Sequence, residues 1–155
     1  MKSVRLLLAF VVLASVTVSH ATNSLLVSGR AGLDDFVLGS EGITAPFVVE
    51  ASIPRPVARA ADDLRADIER VSSGRPSLLQ ELPESCPRAL VVIGVVGQSP
   101  LLDRLVADKK LDVSGLTGAW ESFAISVVRN PLPEVEQALV IVGSDTRGAI
   151  GADRR

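Results

Sequence analysis

The sequence predicts a small α/β domain of the α+β kind, a mixed sheet with two main helices packed on it. Three observations lead there. Ala89-Leu90-Val91-Val92-Ile93-Gly94 is a continuous apolar run, the pattern of a central strand covered on both faces. Val57, Ala60, Ala61, Leu64, Ile68 and Val71 recur at the 3.6-residue spacing of a helix with one buried stripe. The elements follow one another as strand, helix, strand, helix, strand, strand, an order that gives a mixed sheet with helices on at least one face.

The chain opens on an export leader. Met1-Lys2-Ser3-Val4-Arg5 carries two positive charges, Leu6 to Ala14 has no polar side chain, and Ser19-His20-Ala21 supplies a small-x-small cleavage site after Ala21. A membrane span needs about 20 consecutive apolar residues, and Ser15, Thr17, Ser19 and His20 interrupt this run. Residues 1–21 are therefore expected to be removed and the protein to act outside the cell, with no membrane attachment afterwards. Residues 22–35 read as a flexible lead-in, 36–150 as the folded domain, and 151–155 as a tail.

Within the domain, Pro46-Phe47-Val48-Val49-Glu50-Ala51 reads as a short strand. The helix after it has Pro56 in its first turn, where a missing N–H costs nothing, and Gly74 where a C-cap is wanted. Its charged residues, among them Asp62, Arg65, Asp67 and Arg70, form a solvated face supported by i,i+4 pairs. Arg75 to Arg88 contains Pro76, Pro83 and Pro87 and reads as loop. Ser99, as N-cap, and Pro100 open a second helix through Leu101, Leu102, Leu105 and Val106. Ser122 to Val128 and Gln137 to Gly143 read as a hairpin whose wide turn holds Arg129-Asn130-Pro131-Leu132-Pro133. Ser144-Asp145-Thr146-Arg147-Gly148 is then a turn that should lead into another element, and the chain is expected to be cut short there.

Composition narrows the chemistry. Lys2 and Arg5 leave with the leader, so 14 of the 16 basic residues face 18 acidic ones, a net charge of about −4 with no basic cluster. Nucleic acid is not an expected partner. Cys86 is the only cysteine, which excludes an intrachain disulfide, and it reads as a small half-buried residue. His20 is the only histidine and leaves with the leader, so histidine-based triads and zinc sites are excluded.

Gly94-Val95-Val96-Gly97-Gln98-Ser99 joins a strand to a helix, the context of a phosphate cradle. It lacks the three-glycine dinucleotide fingerprint and the Lys-Ser/Thr pair of a P-loop, so it reads as a plain turn, and no cofactor or metal is expected. Trp120 beside Glu121 could stack a sugar ring and accept a hydroxyl hydrogen bond. With no tyrosine and few other aromatics, Trp120 reads instead as a plug between the helices and the hairpin. Asp145 and Arg147 read as a local turn salt bridge rather than a ligand site. No catalytic set is visible.

Several segments, taken together, resemble a known family. Pro56-Val57-Ala58-Arg59-Ala60-Ala61-Asp62-Asp63-Leu64 through Asp67-Ile68, Val92-Ile93-Gly94, Leu111-Asp112-Val113-Ser114-Gly115-Leu116, Trp120-Glu121-Ser122-Phe123, Asn130-Pro131-Leu132-Pro133 and Leu139 to Gly148 are similar, in one collinear order, to the N-terminal domain of glycoside hydrolase family 115. The resemblance implies a secreted xylan α-1,2-glucuronidase, which removes glucuronic acid or its 4-O-methyl ether from xylan side chains. It also implies a small α/β domain like the one preceding the barrel in hexosaminidases, with a (β/α)8 barrel as its partner and holder of the catalytic carboxylates. The match stops after Ile150, where the family continues with a Tyr-Gly segment, and no catalytic residue carries over. The resemblance thus implies an accessory domain without catalysis. A polysaccharide-binding or partner-docking module and a small independent hydrolase are the alternatives.

Produced in a secreting host, the protein is expected to begin at Thr22. Intact mass or N-terminal sequencing checks this, and a chain that keeps residues 1–21 contradicts the leader assignment.

Overall fold

The computed structural model of the chain describes Gly32 and residues 35–152. The leader with its cleavage site at Ala21, most of the 22–35 lead-in, and residues 153–155 of the tail lie outside the described residues. The elements are β1 (Gly39–Ser40), β2 (Ile43–Thr44), β3 (Phe47–Val48), α1 (Arg55–Ser72), β4 (Leu78–Leu79), β5 (Ala89–Val95), α2 (Pro100–Ala107), a 3-10 turn (Ser114–Leu116), β6 (Phe123–Leu132), β7 (Val135–Gly143) and α3 (Thr146–Gly151). β1 and β2 form a small antiparallel pair. The main sheet has the order β4-β3-β5-β7-β6, parallel except for β6. The predicted mixed sheet with packed helices is what forms.

The apolar run Ala89–Val95 lies between β3 and β7. Alternate side chains of a strand point to opposite faces, and here both faces are dry. Leu90 and Val92 join α2 and the 3-10 turn in one core through Leu101, Leu102, Leu105 and Leu116. Val91, Ile93 and Val95 join α1 and α3 in the other through Val57, Ala61, Ile68 and Ala149. The crossover after β3 thus covers one face and the crossover after β5 the other, giving three layers.

Helix α1 buries Val57, Ala61 and Ile68 as the periodicity predicts, but Val71 is 86% exposed. At about 1.5 Å per residue the 18-residue helix outruns β3 and β4, which are two residues each, so no sheet underlies its last turn. The left-handed residue at its end is Ser73 (φ 60°), whose N–H bonds Glu69 O, not Gly74. Gly74 is needed for closeness: a Cβ there would meet Gly42 O at 2.3 Å. The charged face pairs at i,i+3 rather than i,i+4, through Asp62–Arg65 and Asp67–Arg70.

Other boundaries differ from expectation. The first strand is only Phe47–Val48, and β4 lies in the stretch read as loop. The hairpin is tight: Leu132 pairs with Val135, leaving Pro133 and Glu134 as its turn, and an irregularity between Arg129 and Leu132 absorbs Asn130 at φ 48°. Lys110 Nζ donates to the carbonyls of Asn130 and Pro131, both at 3.0 Å, and fixes that bulge. The turn after β7 leads directly into α3, which ends at Gly151 and is followed by the buried Ala152.

Ser99 stands at the N-cap position of α2, but its side chain does not cap the helix. β3 ends opposite Val92, so beyond it β5 has no partner on that side, and Ser99 Oγ accepts the Val95 N–H at 3.1 Å instead. Gly94 makes room, since a Cβ there would lie 2.0 Å from Ser99 Oγ. Ser99 is 1% exposed, and its loss would leave a buried N–H unpaired. Ser99→Ala is therefore expected to destabilise the fold by about 1–3 kcal/mol, measured by chemical denaturation, whereas an exposed control such as Ser114→Ala should shift it far less.

Candidate functional site

In an open parallel sheet, ligands favour the crevice at the carboxyl ends of the strands where successive crossovers diverge to opposite faces. Here that point lies between β3 and β5, and it contains the Gly94–Ser99 turn. The protein fills it with its own groups. Both Glu50 carboxylate oxygens accept the Leu101 N–H, each at 3.2 Å, so a side chain from the end of β3 caps α2. Ser52 Oγ donates to Gln98 O at 3.1 Å, and Gly97 N–H is taken by Asp103 at 3.0 Å. An anion would have to displace a carboxylate already seated at the helix N-terminus.

Hollows elsewhere offer little. A cavity of about 10 Å³ between α1 and the sheet, lined by Val57, Ala61, Leu64 and Ile141, is apolar and the size of one water. An open groove beside the hairpin tip is rimmed by Lys110, Glu134 and Glu136, but Lys110 is bound to the bulge carbonyls and Glu136 pairs with Arg88. Among the described residues, no group of three or more His, Cys, Asp or Glu could hold a metal ion. Cys86 is partly buried against the second-helix core, with its thiol 3.6 Å from Pro83 O.

The remaining polar constellation lies where β6 begins and β7 ends. Trp120 is 76% exposed there, so it is not the expected plug. The hairpin and α3 reach this corner through their backbones and leave no cleft for the ring: Gly148 packs against Ser122 so closely that a Cβ would meet Ser122 O at 2.1 Å. Ser122 N–H donates to Ser144 Oγ at 3.0 Å, and Ser144 N–H returns to Ser122 O at 2.8 Å. Ser122 Oγ donates to Trp120 O at 3.1 Å.

The Arg147 guanidinium does not bond the Asp145 carboxylate as the expected turn salt bridge would, although its backbone N–H and its charge both act on that carboxylate. Asp145 Oδ1 accepts Gly148 N–H at 2.8 Å, capping α3, and Oδ2 accepts Glu121 N–H at 2.9 Å across the corner. Arg147 Nη1 donates instead to Glu121 Oε1 at 2.7 Å. The Gly148 and then the Glu121 amides stabilise the charged carboxylate and hold Asp145 below its ordinary pKa, while the Glu121 carboxylate raises that of Arg147. Sequence spacing paired the two nearest opposite charges; the true partner, Glu121, is 26 residues away.

No protein-family model and no curated protein matches the chain. Among solved structures it is similar to a family GH115 4-O-methyl-alpha-glucuronidase with specificity for decorated arabinogalactans, with a TM-score of 0.59 and 24% sequence identity. The match covers 77% of this chain and 14% of that one. The two share a fold, and the chain spans a small part of that enzyme's length.

A depressed folded pKa contributes stability above the unfolded value and loses it as pH falls through the folded one. Asp145, and likewise Asp112, whose carboxylate caps Ser114 N–H at 2.9 Å, are depressed from 3.8. Stability should therefore fall as pH drops below about that value. Asp145→Asn is expected to flatten this acid loss in denaturation midpoints measured across the range, and an unchanged slope would remove Asp145 as a source.

Proposed function

We propose that this chain is the N-terminal accessory domain of an exported α-glucuronidase of the family 115 type, and that it has no catalysis of its own. The observation that carries the reading is the fold likeness to a GH115 glucuronidase over 77% of this chain, running alongside the collinear motifs.

The places those motifs occupy support a scaffold. The Pro56–Ile68 segment lies in α1 and supplies Val57, Ala61 and Ile68 to one core. Val92-Ile93-Gly94 is central strand, and Leu111, Val113 and Leu116 are buried around the 3-10 turn. Leu139 to Gly148 is the second central strand and the start of α3. These residues pack, cap and turn. In this reading the polysaccharide is uronic-acid decorated, glucuronoxylan by the resemblance or arabinogalactan by analogy with the similar enzyme, and a separate barrel performs the hydrolysis.

Glycosidic cleavage ordinarily needs two carboxylates about 5–9.5 Å apart across a sugar pocket. The exposed carboxylates at the built corner are engaged otherwise, Asp145 by two amides and Glu121 by Arg147. The purified chain is expected to release no glucuronic acid or 4-O-methylglucuronic acid from glucuronoxylan or decorated arabinogalactan, as read by anion-exchange chromatography of the products. Release above the no-protein blank would overturn the reading.

A further inference from the structure

We propose that Trp120, flanked by Glu121 and Arg147, is a surface subsite that stacks one neutral pyranose ring of a polysaccharide. The choice of a glycan as occupant rests on the accessory-domain reading; the geometry of the corner does not.

The corner is built and the ring is left out of it. Trp120 is 76% exposed, although burying an indole is among the largest apolar gains a fold can make. The backbone beneath it is fixed on both sides, by Ser122 with Ser144 and by Asp145 with Glu121 and Gly148. Glu121 sits at φ 50°, one of six non-glycine residues in the left-handed region among those described, Glu41 and Glu134 included. The close packing of Gly148 on Ser122 O removes further slack. A backbone already crosslinked in this way has less freedom to lose when the corner takes up a ligand.

The polar neighbours suit sugar hydroxyls. A carboxylate has about four acceptor sites and a guanidinium five N–H donors, and the Glu121–Arg147 bond uses one of each. Both side chains are open to solvent, Arg147 at 73% and Glu121 at 39%. A ring stacked on the indole can thus donate hydroxyls to Glu121 and accept from Arg147, while its C–H face covers the aromatic surface. Charge decides between sugars. Glu121 and Asp145 outweigh Arg147, so the corner is net negative, and a uronate carboxylate would meet repulsion. The subsite therefore fits the neutral units of a backbone rather than its acidic side groups.

Trp120 is the only tryptophan in the chain, so its emission reports the site directly. Neutral xylo- or galacto-oligosaccharides are expected to shift and quench that emission saturably, and glucuronic acid at equal concentration to leave it unchanged. In native gels containing soluble xylan or arabinogalactan the protein should be retarded. Trp120→Ala should weaken that retardation by about tenfold, the factor for one lost stacking contact, and Trp120→Phe should restore part of it. Thermal unfolding of Trp120→Ala should match the parent, since the ring lies outside both cores. No emission change with any neutral sugar, or equal retardation of Trp120→Ala, overturns the subsite. So does a concentration-dependent blue shift without sugar, which would mark Trp120 as a self-association contact. None of these outcomes touches the accessory-domain reading, which fails only on release of a uronic acid.

Discussion

The parallel pairing of β5 with β7 is the constraint on which the rest of the structure depends. Ala89 to Val95 run opposite Gln137 to Gly143 in unbroken register, and two parallel neighbours require a long crossover between them. Burying both faces of this pair requires a layer on each, which the α2 crossover supplies on one side and α1 with α3 on the other. Leu90, Val91, Val95, Val140 and Val142 are completely buried, each favouring the folded state by about 1.5–3 kcal/mol relative to exposure. The carboxyl ends of both strands carry glycine because helices and turns close over them: a Cβ at Gly94 would strike Ser99, and one at Gly143 would lie 2.2 Å from Ala149 N.

That same closure explains where ligand chemistry is absent and where it remains. The crevice between β3 and β5 is the customary site in such sheets, and Glu50 seats its own carboxylate there on the α2 amide. At the same carboxyl end, the β6 edge of the sheet is different because β6 runs antiparallel to β7. Its start therefore lies beside the end of β7, bringing Trp120 to Ser122 against Ser144 to Gly148. Polar side chains gather at this corner for a topological reason, and they crosslink its two segments.

The long elements were legible in the sequence, and the short-range partnerships were not. Ala89–Val95 and α1 announce themselves because a full apolar run and a sustained 3.6-residue period have few alternative folds. β1, β2, β3 and β4 are two residues each, too short to carry alternation. Ser99 looked like a helix cap because residue type and position agreed, yet only the end of β3 reveals that Val95 N–H needs its hydroxyl more. Asp145 and Arg147 looked paired because they lie two residues apart in one turn, whereas the fold offers Arg147 a carboxylate from another segment. Trp120 looked like a plug because the chain has no tyrosine and few other aromatics with which to build a sugar-binding face, and nothing local states that both cores are already filled.

Local strain separates the two roles the chain combines. In the buried layers the close approaches at Gly94 and Gly143 are repaid by packing, since each lets a helix or turn settle onto apolar strands. At the Trp120 corner the return is polar: Glu121 at φ 50° gives its N–H to Asp145, and Gly148 lets α3 close on Ser122, while the largest apolar side chain there stays in solvent. The Trp120 ring itself belongs to neither core. The ring is therefore separable from the scaffold, although the corner that carries it is not. Mutations in the β5–β7 cores should act through folding, whereas removal of the Trp120 ring should leave folding alone and change only what the surface can hold.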